Sequence, residues 1–294
     1  MLRLRLVAAA LVVVSGAAAA HGDDDHSSIG WNFDLWVTVP LALALIIFVV
    51  GYVRLAKRSR VDRRHSWLFI GGWAVLALSL LSPLHDGGEV SFTLHMIEHE
   101  LIMLVATLLL AASNAGGILA WGLPASARRS LGGEWKSPLA WLWRQLTKPV
   151  TATLVQAAVM WLWHAPSLFD RALESEGWHI AQHISFVAAS LLFWVAMLRP
   201  RRGGYLLSAA CLFVTSLIEG ALGALMALST SPWYAAYARM DLSGIGLDPT
   251  TDQQIAGLLM WIPGGLLHGG VAIYLLYKWL SDSNSGGRHA LSAH

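Results

Sequence analysis

Between His95 and Met103 the chain reads HMIEHELIM, two histidines, two glutamates and two methionines within one short phrase. Imidazole and thioether groups bind transition metals, and copper fits the mixture: Cu(I) favours soft methionine sulfur, and Cu(II) binds imidazole strongly. On a helix, at about 100° per residue, His95 and His99 fall about 40° apart on one face. Glu98 flanks them on one side and Met96 and Met103 on the other. A second phrase, WHIAQH, repeats the spacing with His179 and His183, and puts Gln182 where the first has Glu98. His164, in WLWHAP, ends an apolar run, with Pro166 helping to stop the helix shortly after it. One HxxxH pair is weak evidence by itself. Two pairs in matching positions and a fifth imidazole at the same depth could enclose one metal ion, so His95, His99, His164, His179 and His183 are the expected ligands. Met96 and Met103 are candidate soft ligands, and Glu98 a candidate carboxylate ligand.

The elements that must carry these groups are apolar. Of 294 residues, 56% are hydrophobic and only 13% charged, too little charge to cover a soluble domain of this length. The expected fold is all-α, a polytopic membrane helical bundle. Seven apolar stretches, at 35–53, 67–84, 94–112, 150–165, 179–198, 205–228 and 255–280, read as transmembrane helices. Before them, Arg3 and Arg5, a short apolar run and Ala18-Ala19-Ala20 read as a cleaved signal peptide over residues 1–20. An acidic, histidine-bearing periplasmic leader (21–34), the seven-span domain (35–280) and a cytoplasmic tail (281–294) complete the expected organisation. The single cysteine, Cys211, excludes an internal disulfide and a CxxC redox pair.

Charge sets the orientation. Sixteen of the 20 Lys and Arg residues fall in the first, third and fifth connectors and the tail, which places those segments in the cytoplasm. The mature N-terminus is then outside and the C-terminus inside. Fourteen of the 18 acidic residues fall on the outer side or at its helix mouths. Eight of the 12 histidines do too: the five expected ligands and His21, His26 and His85. Cleavage after Ala20 would free the amine of His21, which with its imidazole could chelate Cu(II); His26 closes the same HGDDDH phrase. His85 reads as a loop residue. Inside the membrane, Glu219 and His268 lie near the middles of the sixth and seventh spans, where an ionised carboxylate is costly and normally has a partner. They read as a pair with each other or as a transient metal contact. Nearby small residues, Gly220, Gly223, Ala224 and Ala227, allow close helix contact.

Other chemistries fit parts of the pattern. His95-Met-Ile-Glu98-His99 matches H-x-x-E-H, an inverted zinc-hydrolase motif, with the glutamate activating water. Gln182 in the second phrase cannot act as a base, and no polar domain is present to hold a peptide. Histidines at helix mouths, paired on one helix, fit a b-type haem poorly. A copper transporter would load at the same outer histidines and extend inward through Glu219 and His268.

Three stretches in order, HMIEHELIM, MWLWHAPSLFDRALESEGWHIAQHISFVAASLLFW and DQQIAGLLMWIPGG, resemble the signatures of the CtaG family, multi-span bacterial assembly factors for cytochrome c oxidases of the caa type. The resemblance covers roughly 67–280. It implies an inner-membrane protein that supports oxidase maturation by delivering or inserting copper, and it singles out His95, His99, His164, His179 and His183. Asp252, Gln253 and Met260 match its last signature, with Asp252 expected to orient a ligand or face the partner oxidase. The implied partners are oxidase subunits, periplasmic copper chaperones and the lipid bilayer, with no nucleic acid.

Overall fold

A computed structural model describes residues 30–133, 138–200, 204–240, 242 and 247–291. The expected signal segment and His21 and His26 of the leader lie outside these residues. Every described element is helical. In order they are α1 (Leu35–Ala56), α2 (Arg63–Leu81), α3 (Pro83–Val90), α4 (Phe92–Ala112), α5 (Gly116–Gly122), α6 (Ala125–Gly133), α7 (Pro138–Leu146), α8 (Pro149–Trp163), α9 (Pro166–Glu174), α10 (Glu176–Leu198), α11 (Tyr205–Ala227), α12 (Ala235–Ala238) and α13 (Pro249–Leu291).

Six of the described helices, α1, α2, α4, α10, α11 and α13, are long and apolar enough to cross a membrane. The chain is a membrane protein. The remaining expected span, 150–165, is α8, whose 15 residues give about 22 Å of helix against a hydrocarbon core of about 30 Å. Pro149 starts it, where a proline's missing N–H costs nothing. Leu206, Phe213, Leu217 and Leu225 of α11 and Leu266, Ile273 and Tyr277 of α13 stand exposed. Such a surface suits lipid and would be costly in water.

The second expected stretch does not run to Leu84. It stops at Leu81, because Pro83 biases Ser82 away from helical backbone. Ser82 then caps α3, its Oγ accepting from the Leu84 N–H at 3.3 Å, and Ser91 caps α4 in the same way through Leu94. This break turns a loop into a short helix, α3, between α2 and α4. Midway along α4 the turn Leu101–Ala106 is π-helical, a form that marks functional sites in many helices.

The bundle is closed by tight helix contact. A β-carbon on Gly223 of α11 would stand 2.7 Å from the carbonyl oxygen of Gly257 on α13, so the two backbones touch only because neither residue carries one. One core cluster, around Phe92, Phe169, Phe186 and Tyr234, fills the end nearer α3. Another, around Phe193, Trp194, Met197 and Leu212, fills the far end. There Arg54 donates to the carbonyls of Trp121, Gly122 and Leu123, and Arg58 and Arg128 lie over the Trp121 ring at 5.0 and 4.1 Å. The basic connectors thus gather at the end away from the histidine phrases.

Candidate metal centre

All five expected histidines converge. His95 and His99 stand on α4, His179 and His183 on α10, and His164 caps the end of α8. Ring centroids are 4.3 Å apart for His95 and His99, 4.6 Å for His179 and His183, 5.4 Å for His99 and His183 and 5.7 Å for His95 and His179. His164 joins from the other direction, its ring 6.0 Å from Phe169 and 6.3 Å from Phe186, the two rings that also pack on His95 and His99.

A sixth imidazole stands with them. His85, read from sequence as a loop residue, is delivered by α3, its ring 5.2 Å from His179 and 5.6 Å from His183. One potential ligand nitrogen from each of His85, His179 and His183 lies within 4.8 Å of the others, close enough for one ion to bind all three after small side-chain shifts. Two glycines allow the approach: a β-carbon on Gly88 would press on His95 at 3.3 Å, and one on Gly87 on Leu94 at 2.8 Å. The sequence signal was available in the phrase SPLHDGG, a helix breaker followed by a histidine and two small residues.

Glu98 is wholly buried and points into the cluster. Its Oε1 lies 2.8 Å from His85 Nδ1 and 3.5 Å from His183 Nε2. Burial works against a charge on His85, yet the hydrogen bond and the charge of Glu98 outweigh it and raise the pKa of His85. Two of the other imidazoles are held through Nδ1. His164 Nδ1 donates to the Met160 carbonyl at 2.7 Å, and His95 Nδ1 sits 3.2 Å from the Tyr237 hydroxyl, which itself donates to the Gly88 carbonyl. Each ring so held keeps Nε2 as its free lone pair, the arrangement that orients metal-binding histidines. The buried Nε2 atoms of His95, His164, His179 and His183, and both nitrogens of His99, have no hydrogen-bond partner. An unpaired buried polar atom costs about 1–3 kcal/mol. A cation in their midst would recover that cost, so the donor set fits a transition metal.

Other expected residues lie around the centre. Asp252 of α13 accepts from Ser91 Oγ at 2.9 Å, Phe92 N at 2.7 Å and Thr93 N at 3.1 Å. It fixes the start of α4, and so the height of His95 and His99. Gln253 accepts from Trp233 N at 2.6 Å and donates to the Ser231 carbonyl at 3.2 Å, pinning the segment before α12. Met96, Met103 and Met260 are buried in the core cluster around Phe92 and Phe169.

The chain matches the family described as cytochrome c oxidase caa3 assembly factor (Caa3_CtaG) over residues 46–282. It belongs to that family. The resemblance read from three short phrases therefore extends over nearly the whole helical bundle, every described histidine of the cluster included. No curated protein and no solved structure matches the chain.

Deeper in the bundle this Caa3_CtaG member has a second polar group. Glu219 and His268 do pair, His268 Nδ1 lying 3.5 Å from Glu219 Oε2 while donating to the Gly264 carbonyl at 2.8 Å. Gln156 Nε2 donates to Glu219 at 3.3 Å, and the Trp194 ring stacks on His268 at 5.2 Å. Glu100, one residue beyond His99 of the cluster, turns toward the same place. A β-carbon on Gly264 would lie 3.8 Å from Glu100 Oε2 and 3.9 Å from Glu219 Oε2. Glu100 also lines a cavity of about 530 Å³ with Leu101, Leu104, Pro263 and Leu266. In the sequence Glu100 is only one of the acids at a helix mouth, because its direction depends on how α4 is rotated against α13.

Proposed function

We propose that this chain is a non-catalytic maturation factor that holds copper in its histidine cluster and passes it to a cytochrome c oxidase. The protein would sit in the bacterial inner membrane with seven spans, α8 completing the set as a short one. Its N-terminus and histidine cluster would face the periplasm and its C-terminus the cytoplasm. The concentration of Arg and Lys at the opposite end of the bundle supports that orientation. The observation that carries the reading is the set of buried imidazole nitrogens without hydrogen-bond partners, converging from α4, α8 and α10. Periplasmic copper chaperones would be the donors and oxidase subunits the recipients. In this reading His95, His99, His164, His179 and His183 hold the ion, Glu98 balances its charge through His85, and Asp252 sets the height of α4.

His99→Ala and His183→Ala should each lower bound copper and oxidase activity in cells, with the protein still inserted in the membrane. Full oxidase activity and unchanged copper in both variants would overturn the proposal. Glu98 separates this function from hydrolysis by HxxEH. Its Oε1 is already engaged by His85, so Glu98→Gln should leave much of the oxidase activity, whereas a hydrolase would lose its base.

A second reading, copper transport across the membrane, draws support from the polar group Glu100, Glu219 and His268 beneath the cluster. Transport requires that Glu219→Gln and His268→Ala reduce cytoplasmic copper while the outer cluster still loads. Delivery to an oxidase requires no such drop.

A further inference from the structure

The cluster contains more donors than a single ion can use. A tetrahedral ion is filled by about four ligands, and six imidazoles and Glu98 face one another here. Resting on the copper-holding reading above, we infer that the cluster is two copper sites in series, an outer one made by His85, His179 and His183 and an inner one made by His95, His99 and His164.

Two observations divide the donors this way. The outer three have ligand nitrogens within 4.8 Å of one another, and Glu98 Oε1 touches His85 and His183 of that set. They come from α3 and α10, the elements at the mouth, and His85 and His179 keep some solvent exposure. The inner three are buried to 3% exposure or less and come from α4 and the end of α8. Their four free nitrogens, Nε2 of His95, both of His99 and Nε2 of His164, are the ones the outer ion would leave without partners. All three rings pack around Phe169 and Phe186, both fully buried. Ligand character differs accordingly. The outer site, with a carboxylate beside it, accepts an ion arriving from water. The inner site, neutral and apolar, suits Cu(I), whose single charge is the easier one to bury. His99 and His183, 5.4 Å apart, form the step between the two. The transfer is ligand exchange alone and moves no electron.

The test is copper stoichiometry on the full chain in detergent, titrated with Cu(I) under a reductant against a colorimetric Cu(I) chelator. Two copper ions per wild-type chain are expected. His85→Gln with His179→Gln should leave one ion, still out of contact with solvent. His95→Gln with His164→Gln should also leave one, now more quickly stripped by the chelator. Glutamine keeps a polar side chain in each position, and elution as a monodisperse peak shows that a variant has folded. One ion per wild-type chain overturns the two-site inference and leaves the copper-holding function standing. No ion overturns both. Loss of all copper in either folded double variant also overturns it, because all six histidines would then belong to one shell.

Discussion

His99 has an unusual environment, because neither of its nitrogens has a hydrogen-bond partner although the residue is 3% exposed. Folding alone would not favour that arrangement, since each unpaired buried polar atom costs about 1–3 kcal/mol. Residues of this kind trade stability for function. His99→Leu, which keeps much of the volume and removes both nitrogens, should leave the copper-free protein at least as stable as wild type and raise it by about 1 kcal/mol. Thermal denaturation in detergent measures this, and a clear drop in melting temperature would mean His99 is a packing residue. Copper should in turn raise the melting temperature of wild type and not of the variant, as binding to the native state requires. Four of the six clustered histidines were legible in the sequence because HxxxH spacing puts both rings on one helical face, and His164 because it ends an apolar run just before Pro166. His85 was not, because it reaches the cluster only after Pro83 breaks the chain and α3 folds back, an event encoded by no periodicity.

At the scale of elements, α4 matters most, and its position depends on a residue far away in sequence. Asp252 satisfies Ser91 Oγ and the first backbone N–H groups of α4 from across the bundle. Asp252→Ala leaves two buried donors and one half-buried donor without an acceptor and should cost about 2–4 kcal/mol of stability. It should also weaken copper binding, although Asp252 touches no ring of the cluster. Asp252→Asn, which keeps one acceptor oxygen, should fall between the two; equal copper affinity in all three proteins would detach α4 positioning from the site. The sequence marked Asp252 through the resemblance, but the identity of its partners required the fold. Helix positions were read well, since long apolar stretches have few alternatives in a membrane. Their ends moved where Ser82-Pro83 and Ser91 supplied caps that hydropathy does not register.

For the whole molecule, two features decide whether the bundle can present the cluster. The first is the close contact of α11 and α13. Gly223→Leu would drive a side chain into the Gly257 carbonyl, force the helices apart and destabilise the protein by about 1–3 kcal/mol. Because α13 also carries Asp252, the histidine cluster should loosen with it, and chelator competition should then strip copper from the variant more readily than from wild type. The second is the separation of charge and histidine to opposite ends, legible from residue counts alone since topology follows Lys and Arg. The shortness of α8 was legible too, since the expected stretch 150–165 closely matches Pro149–Trp163, bounded by Pro149 and His164. The central claim, imidazoles from separate helices around a common ion, is tested most directly by X-ray absorption on the copper-loaded full chain. A first shell of imidazole nitrogens that shrinks when His99 and His183 are replaced is the expected result. A shell of oxygen or sulfur, or one unchanged by those replacements, would contradict it.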